Sequence, residues 1–422
     1  MDLEIKEQSN HLSKYNININ KAMFILVLSI FIDMLGYGMI LPLLPEVAET
    51  FGVSDFWVGL LISSNAIATL IFSPLWGKLS DKFGRKPILI FSEIGTLVSF
   101  LILGISSSYI MILFSRILDG CVGGIIPVVR AYVTDLTTPK TRSVQIAKIS
   151  VATSASIVIG PILGGFLGSL NWRFPPLMAV ILTGFSIVLS IFKIVESMPK
   201  ERIKDLKEDR ESDISLLNKK FWNKEIALRL IQIFVLNIIT VLFISTIPLI
   251  MDERYGSDPS IIGVLMSIVG GFIIIYAGFL MKRIIKKFGE KKLLILSLVI
   301  LILTFSSFPF LTELWMAFLF ALPFGFCVAS IQPLLMNNVT KAVEADKQGV
   351  ASGWATNIQS LSRTFSPLIG TGFLEIGLIN LLGFTLDPYF LIGLFTVSLG
   401  IILSLIIYYD FKKHKNLYKT DF

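Results

Sequence analysis

"GKLSDKFGRKP", residues 77–87, places four basic side chains, one aspartate and two glycines between two apolar runs, 57–76 and 87–106. A turn needs only a glycine and a few polar residues, so this much positive charge has another cause. Each flanking run is about 20 residues long, enough at about 1.5 Å per residue to cross about 30 Å of hydrocarbon. Working outward, similar runs lie at 22–45, 109–133, 144–168, 172–195, 225–250, 260–281, 291–309, 312–336, 348–375 and 388–409. The chain has 422 residues, 54% of them hydrophobic and only 16% charged, against roughly 25% charged in a soluble domain. Backbone in lipid must satisfy its own hydrogen bonds, which favours helices. The expectation is an all-α membrane protein with twelve transmembrane helices.

The basic turn recurs on one side only. Of 37 Lys and Arg, all but Arg116, Arg130, Arg173, Arg254 and Arg363 fall in the two tails and in alternate loops. Positive charge collects on the cytoplasmic side of bilayers, so both termini are expected there, in a multi-pass cell (plasma) membrane protein. The net charge of +7 then reflects topology and contact with anionic lipid, and no nucleic-acid partner is expected. The first 21 residues are polar and resemble no cleavable signal. Cys121 and Cys327 fall within spans, which argues against a disulfide framework.

Anchors also repeat along the chain. Cys121, Pro127, Pro161 and Gly164 recur 206 residues later as Cys327, Pro333, Pro367 and Gly370; Asp33 and Gly52 recur at 204 as Asn237 and Gly256. "DKFGRK" at 81–86 is echoed by "KKFGEK" at 286–291. Six crossings return a chain to its starting side, so a six-helix unit duplicated in one orientation fits. The expected division is a tail (1–21), a six-helix bundle (22–195), a charged linker (196–224), a second bundle (225–409) and a tail (410–422). Within the linker a surface helix over 203–222 is conceivable, a plain tether more economical.

Two six-helix repeats with a central linker resemble the major facilitator superfamily over essentially the whole chain. The opening stretch resembles that family's conformational-switch loop through Gly77, Asp81, Gly84, Arg85 and Lys86, with Asp81 free to pair with Arg85 or to cap a helix. "RILDG" at 116–120 resembles a second motif. "SIVIGPILGG" at 156–165 resembles the antiporter motif through Gly160, Pro161, Gly164 and Gly165, with Ser156 in place of its first glycine. Small residues every fourth position there build a seam on which another helix can lie. "FIDMLGYGMILPLLP" at 31–45 and "AYVTDLTTPKTR" at 131–142 look most like tetracycline-efflux and multidrug proton antiporters. The chain departs from the tetracycline exporters in having no acid near Ser99 or within 291–309.

Charge inside a span costs about 2.5–3.5 kcal/mol on insertion scales and so faces the bundle or water. Asp33, Arg116, Asp119 and Glu93 are therefore the proton-coupling candidates. In the resembled fold the first, fourth, seventh and tenth spans line a central cavity, which makes Tyr37, Asn237, Thr240, Phe324 and Gln332 the substrate-cavity candidates. Asp33 pairs by repeat with neutral Asn237, and Arg116 and Asp119 with Leu322 and Gly325. The first bundle is thus expected to couple and the second to shape the substrate site. Both histidines, His11 and His414, lie in the tails, leaving proton handling to carboxylates.

No nucleotide-binding, metalloprotease or hydrolase string is present, so neither an enzyme nor a metal or other cofactor is expected, only a proton gradient as energy source. The resemblance implies a proton-driven antiporter that exports small amphipathic compounds by alternating access, acting as a monomer on a small-molecule substrate, protons and lipid. A symporter or facilitator for a sugar or organic metabolite is the alternative within transport. A membrane enzyme or a receptor lies outside it.

Overall fold

Apolar runs longer than a globular helix become the long helices of a computed structural model that describes residues 19–123, 125–137, 139–197, 224–343, 348–381 and 384–414. His11, the possible helix at 203–222 and the chain after residue 414 lie outside them. Among the described residues there are twelve long helices: α1 (Ile19–Phe51), α2 (Asp55–Phe83), α3 (Arg85–Gly104), α4 (Tyr109–Leu136), α5 (Pro139–Gly168), α6 (Phe174–Lys193), α7 (Lys224–Tyr255), α8 (Pro259–Phe288), α9 (Glu290–Phe310), α10 (Leu314–Lys341), α11 (Gln348–Ile376) and α12 (Pro388–Lys413). Eleven are both long and apolar enough to cross a membrane. The exception is α11, 29 residues long but carrying Asn357, Gln359, Ser360, Ser362, Arg363 and Thr364 in one stretch.

Several local features refine the expected spans. Residues 77–83, read as loop, are the last two turns of α2; only Gly84, at φ 98°, interrupts helix before α3 begins. The apolar period ends at Trp76, but the backbone continues helical until Gly84 takes a positive φ that no α-helix contains. α4 is broken at Gly123, whose N–H bonds Asp119 O at 2.6 Å before the helix resumes at Ile125. α8 includes a π-turn, Tyr276–Leu280. Between α11 and α12 a short hairpin, β1 (Ile379–Leu381) antiparallel to β2 (Phe384–Leu386), is added to the otherwise helical fold.

Contacts divide the chain into two compact units, one formed by residues 1–40 and 67–218, the other by 41–66 and 219–422. In the first, α1 lies along α5; in the second, α7 lies along α11. Lipid offers no hydrophobic drive for helices to associate, so close packing and polar links must hold them. The first unit buries Met23, Leu26, Ile30, Leu89, Val129 and Tyr132 in one cluster. The second is centred on Phe243, whose ring meets those of Phe305, Phe308, Phe320 and Phe324 at 4.8–5.4 Å.

The two sequence repeats share backbone devices at the repeat spacing. Gly52 and Gly256 both take φ 59°, and Gly84 and Gly289 take 98° and 82°. Ser156 donates to the carbonyl of Phe31 at 2.9 Å, and Ser362, 206 residues on, donates to that of Phe234 at 3.3 Å. A side chain with a β-carbon is strained at positive φ, which is why glycine stands at these four turns.

Candidate functional site

The stretch 77–87 sits at the centre of a charged network in the first unit. Arg85 is buried where α3 starts. Its Nη1 lies 2.5 Å from Asp81 Oδ1 and donates to Ser80 Oγ at 2.6 Å, while its Nε donates to Asp135 Oδ2 on α4 at 3.0 Å. Of the two roles open to Asp81, pairing with Arg85 is the one found. The N-terminus of α3 is capped instead by Glu196, just beyond α6, which accepts from the backbone N–H of Arg85 (2.8 Å) and Lys86 (3.1 Å). A carboxylate there also meets the positive end of the helix dipole. Gly84 leaves room for it, since a β-carbon at that position would sit 2.5 Å from Glu196 Oε2. Lys86 Nζ reaches Ile191 O at 2.8 Å, Ser197 joins Asp135 at 3.1 Å, and Gly77 faces Pro127 of α4. Residues 77–86 are therefore tied to the ends of two other helices, α4 and α6. Glu196 escapes sequence reading because it opens what looks like a solvated linker.

The α5 seam is equally close. A β-carbon on Gly160 would lie 3.0 Å from the Cα of Gly38, and one on Gly164 would collide with the backbone of Met39. Pro161 and Gly165 are buried beside them. Ser156 holds its place in the motif by the bond to Phe31 O, which a glycine could not make.

α1, α3, α4 and α6 line a small cavity of about 10 Å³, where Asp33, Glu93, Ser29, Thr96, Thr183 and Ser186 meet Ile32 and Ile125. Glu93 is buried, and its Oε1 accepts from Ser186 (2.9 Å) and Ser190 (3.1 Å); Ser186 also shares a 2.9 Å bond with Ser29. Each such link between membrane helices contributes about 0.6 kcal/mol on average. Asp33 is half-buried at this cavity, which Glu93 shares. Arg116 lies over Phe100 at 5.6 Å and pairs with Asp119 at 3.5 Å, both buried. Tyr37 is 37% exposed. Asp33 and Glu93 thus share one cavity, while the one cation among the four proton-coupling candidates, Arg116, is paired with Asp119.

In the second unit, Asn237 donates to Gln332 Oε1 at 3.3 Å and to Ile233 O at 2.8 Å, and Thr240 donates to Leu236 O at 3.1 Å. Phe324 is fully buried in the aromatic cluster around Phe243. A cluster that sequence reading passed over joins α7 to α12. Arg229 and Asp410 are both fully buried 3.6 Å apart, Gln232 donates to Asp410 at 3.4 Å, and His414 bridges Asp410 (2.7 Å) and Glu225 (2.9 Å). The available signal was one acid near the end of an apolar span and one arginine near the start of another.

Comparisons with known proteins extend these geometries. Residues 26–367 match the model of the Major Facilitator Superfamily. "Multidrug resistance protein 2" of Bacillus subtilis (strain 168) is 31% identical over 364 residues, covering 85% of this chain and 90% of that protein. The class H tetracycline resistance protein of Pasteurella multocida is 26% identical over 356 residues, covering 83% of this chain and 88% of its own length. Among solved structures, a D-xylose–proton symporter superposes with a TM-score of 0.71 at 16% identity, over 90% of this chain and 96% of that one, a likeness of fold alone.

Proposed function

Because the chain belongs to the major facilitator superfamily, we propose that it is a proton-driven antiporter exporting small amphipathic compounds by alternating access. The observation that carries this reading is Asp33, a carboxylate midway along α1 at an acid-lined cavity with no basic residue in its wall. A carboxylate in such a place exchanges protons with whatever else neutralises it, including a cationic substrate. The multidrug relative supplies the substrate class. The bundles 22–195 and 225–409 are the two moving bodies, joined by 196–224, with both termini cytoplasmic in a plasma-membrane monomer. Arg116–Asp119 lies in the same region, and Asn237, Thr240, Gln332 and Tyr37 serve the substrate. The proton gradient is the energy source, and no cofactor takes part.

The test is efflux in proteoliposomes with an imposed pH gradient, using ethidium and tetracycline as probes. Wild type should export ethidium against its gradient only when the pH gradient is present. Asp33→Asn should abolish that uphill export while leaving downhill exchange measurable. Uphill export by the variant at wild-type rate would sink the role of Asp33. Export indifferent to the pH gradient would sink antiport.

A further inference from the structure

The cavity behind Asp33 holds an unresolved polar account. Glu93 is 4% exposed and Thr183 3% exposed. Among the described residues, Glu93 Oε2 and Thr183 Oγ1 have no hydrogen-bond partner, although both side chains line the cavity. Buried polar atoms without partners cost about 1–3 kcal/mol each, and native proteins relieve them with protein groups or ordered water. A volume of about 10 Å³ is about that of one water probe, and a buried water needs two to four polar partners. Glu93, Thr183 and Asp33 offer three.

We propose that Glu93 is a second proton-carrying residue, joined to Asp33 through a single water held in this cavity by Glu93 Oε2, Thr183 Oγ1 and the Asp33 carboxylate. The proposal rests on the antiport reading for its role but not for its test. The other oxygen of Glu93 is already fixed by Ser186 and Ser190, with Ser29 behind them. One oxygen is therefore anchored and the other has no protein partner in a side chain that lines the chamber, an arrangement that lets the carboxyl gain or lose a proton without moving. Asp33, half-buried, is the outer member and Glu93 the inner one. The step balances simply. A proton on Asp33 passes to the water, which gives one of its own to Glu93 Oε2; return runs in reverse, and no other bond changes.

The charged groups around Glu93 are few. α1 presents Asp33, α4 presents Arg116 and Asp119, which pair with each other, and α6 presents only hydroxyls, Thr183, Ser186 and Ser190. With no cation in the wall, Asp33 and Glu93 cannot both hold full charge cheaply, so protons on the two must be coupled. The residue was visible in the sequence as an acid in an apolar span. Only the fold shows that it shares a chamber with Asp33.

The experiment is infrared titration of the purified full-length protein in detergent, following the carboxyl bands as pH is varied, with sodium-free choline buffer. Wild type should show two coupled carboxyl transitions in this region. Glu93→Gln should delete one, and Asp33→Asn should shift the remaining Glu93 transition by about one pH unit or more. Thr183→Val, which keeps shape and removes one water partner, should shift the Glu93 transition and slow its hydrogen–deuterium exchange. If Glu93→Gln leaves the titration unchanged, or Asp33→Asn leaves the Glu93 transition in place, the relay is wrong. A shift produced by adding sodium chloride in place of choline chloride would mean that a metal cation fills the chamber, which also overturns it. Loss of the relay with pH-driven ethidium export intact would leave the antiport reading standing on Asp33 alone.

Discussion

Asp81 and Asp410 show how differently a carboxylate can matter. The Asp81 side chain is 27% exposed and is one of several partners of Arg85, which keeps Asp135 and Ser80 if Asp81 is lost. Asp81→Asn should therefore insert and fold normally, with little change in thermal unfolding. Its effect should fall on whichever transport state needs the ion pair, reducing ethidium efflux by about tenfold, the factor that about 1.4 kcal/mol supplies. Wild-type efflux in this variant would remove the network from the switching mechanism. Asp410 is fully buried beside Arg229, so Asp410→Asn leaves a guanidinium uncompensated. That should cost about 3–5 kcal/mol in thermal unfolding. Arg229→Met combined with Asp410→Leu should recover most of it; a double variant no more stable than the single would show that the pair is not the cause. The Asp81–Arg85 pairing was legible, because the two sit four residues apart at the end of an apolar run. The Arg229–Asp410 pair was not, because 181 positions separate its members along the chain and nothing local links them.

At the scale of elements, packing in lipid depends on how close two backbones can come. Gly164→Leu drives a branched side chain into the backbone of Met39, and it should abolish ethidium efflux together with folded protein in detergent. Normal efflux would show that this face of α5 meets lipid. Gly84→Ala meets two obstacles at once, a φ of 98° and the Glu196 carboxylate. It should cost about 1–3 kcal/mol in thermal unfolding, and Glu196→Ala should recover only the steric part. Element positions were legible from apolar runs, since each run is longer than a globular helix requires. Element ends were not. α2 continues through Lys78 and Lys82 because helix propagation needs hydrogen bonds rather than apolar side chains. The break at Gly123 and the π-turn at Tyr276 depend on neighbouring helices, to which periodicity is blind.

For the whole molecule, the matched devices of the two units allow a direct comparison. Ser156→Ala and Ser362→Ala each remove a hydroxyl shared between a backbone carbonyl of the partner helix and one a turn back in its own helix. Each should cost about 1 kcal/mol, and the double variant should be additive within about 0.5 kcal/mol in thermal unfolding. Strong non-additivity would mean that the two bonds are not independent. The repeat was legible in the glycines and prolines because turns and kinks constrain sequence tightly. The acids told a different story, since Asp33, Arg116 and Asp119 have no charged counterparts at Asn237, Leu322 and Gly325. Glycine turns kept in both halves, with charges kept in one, bear on ancestry. A pair of identical six-helix chains would have had to carry every substitution twice, once in each subunit, because symmetry copies it. In a single chain each half can vary by itself, and here one carries Asp33, Arg116 and Asp119 where the other carries Asn237, Leu322 and Gly325.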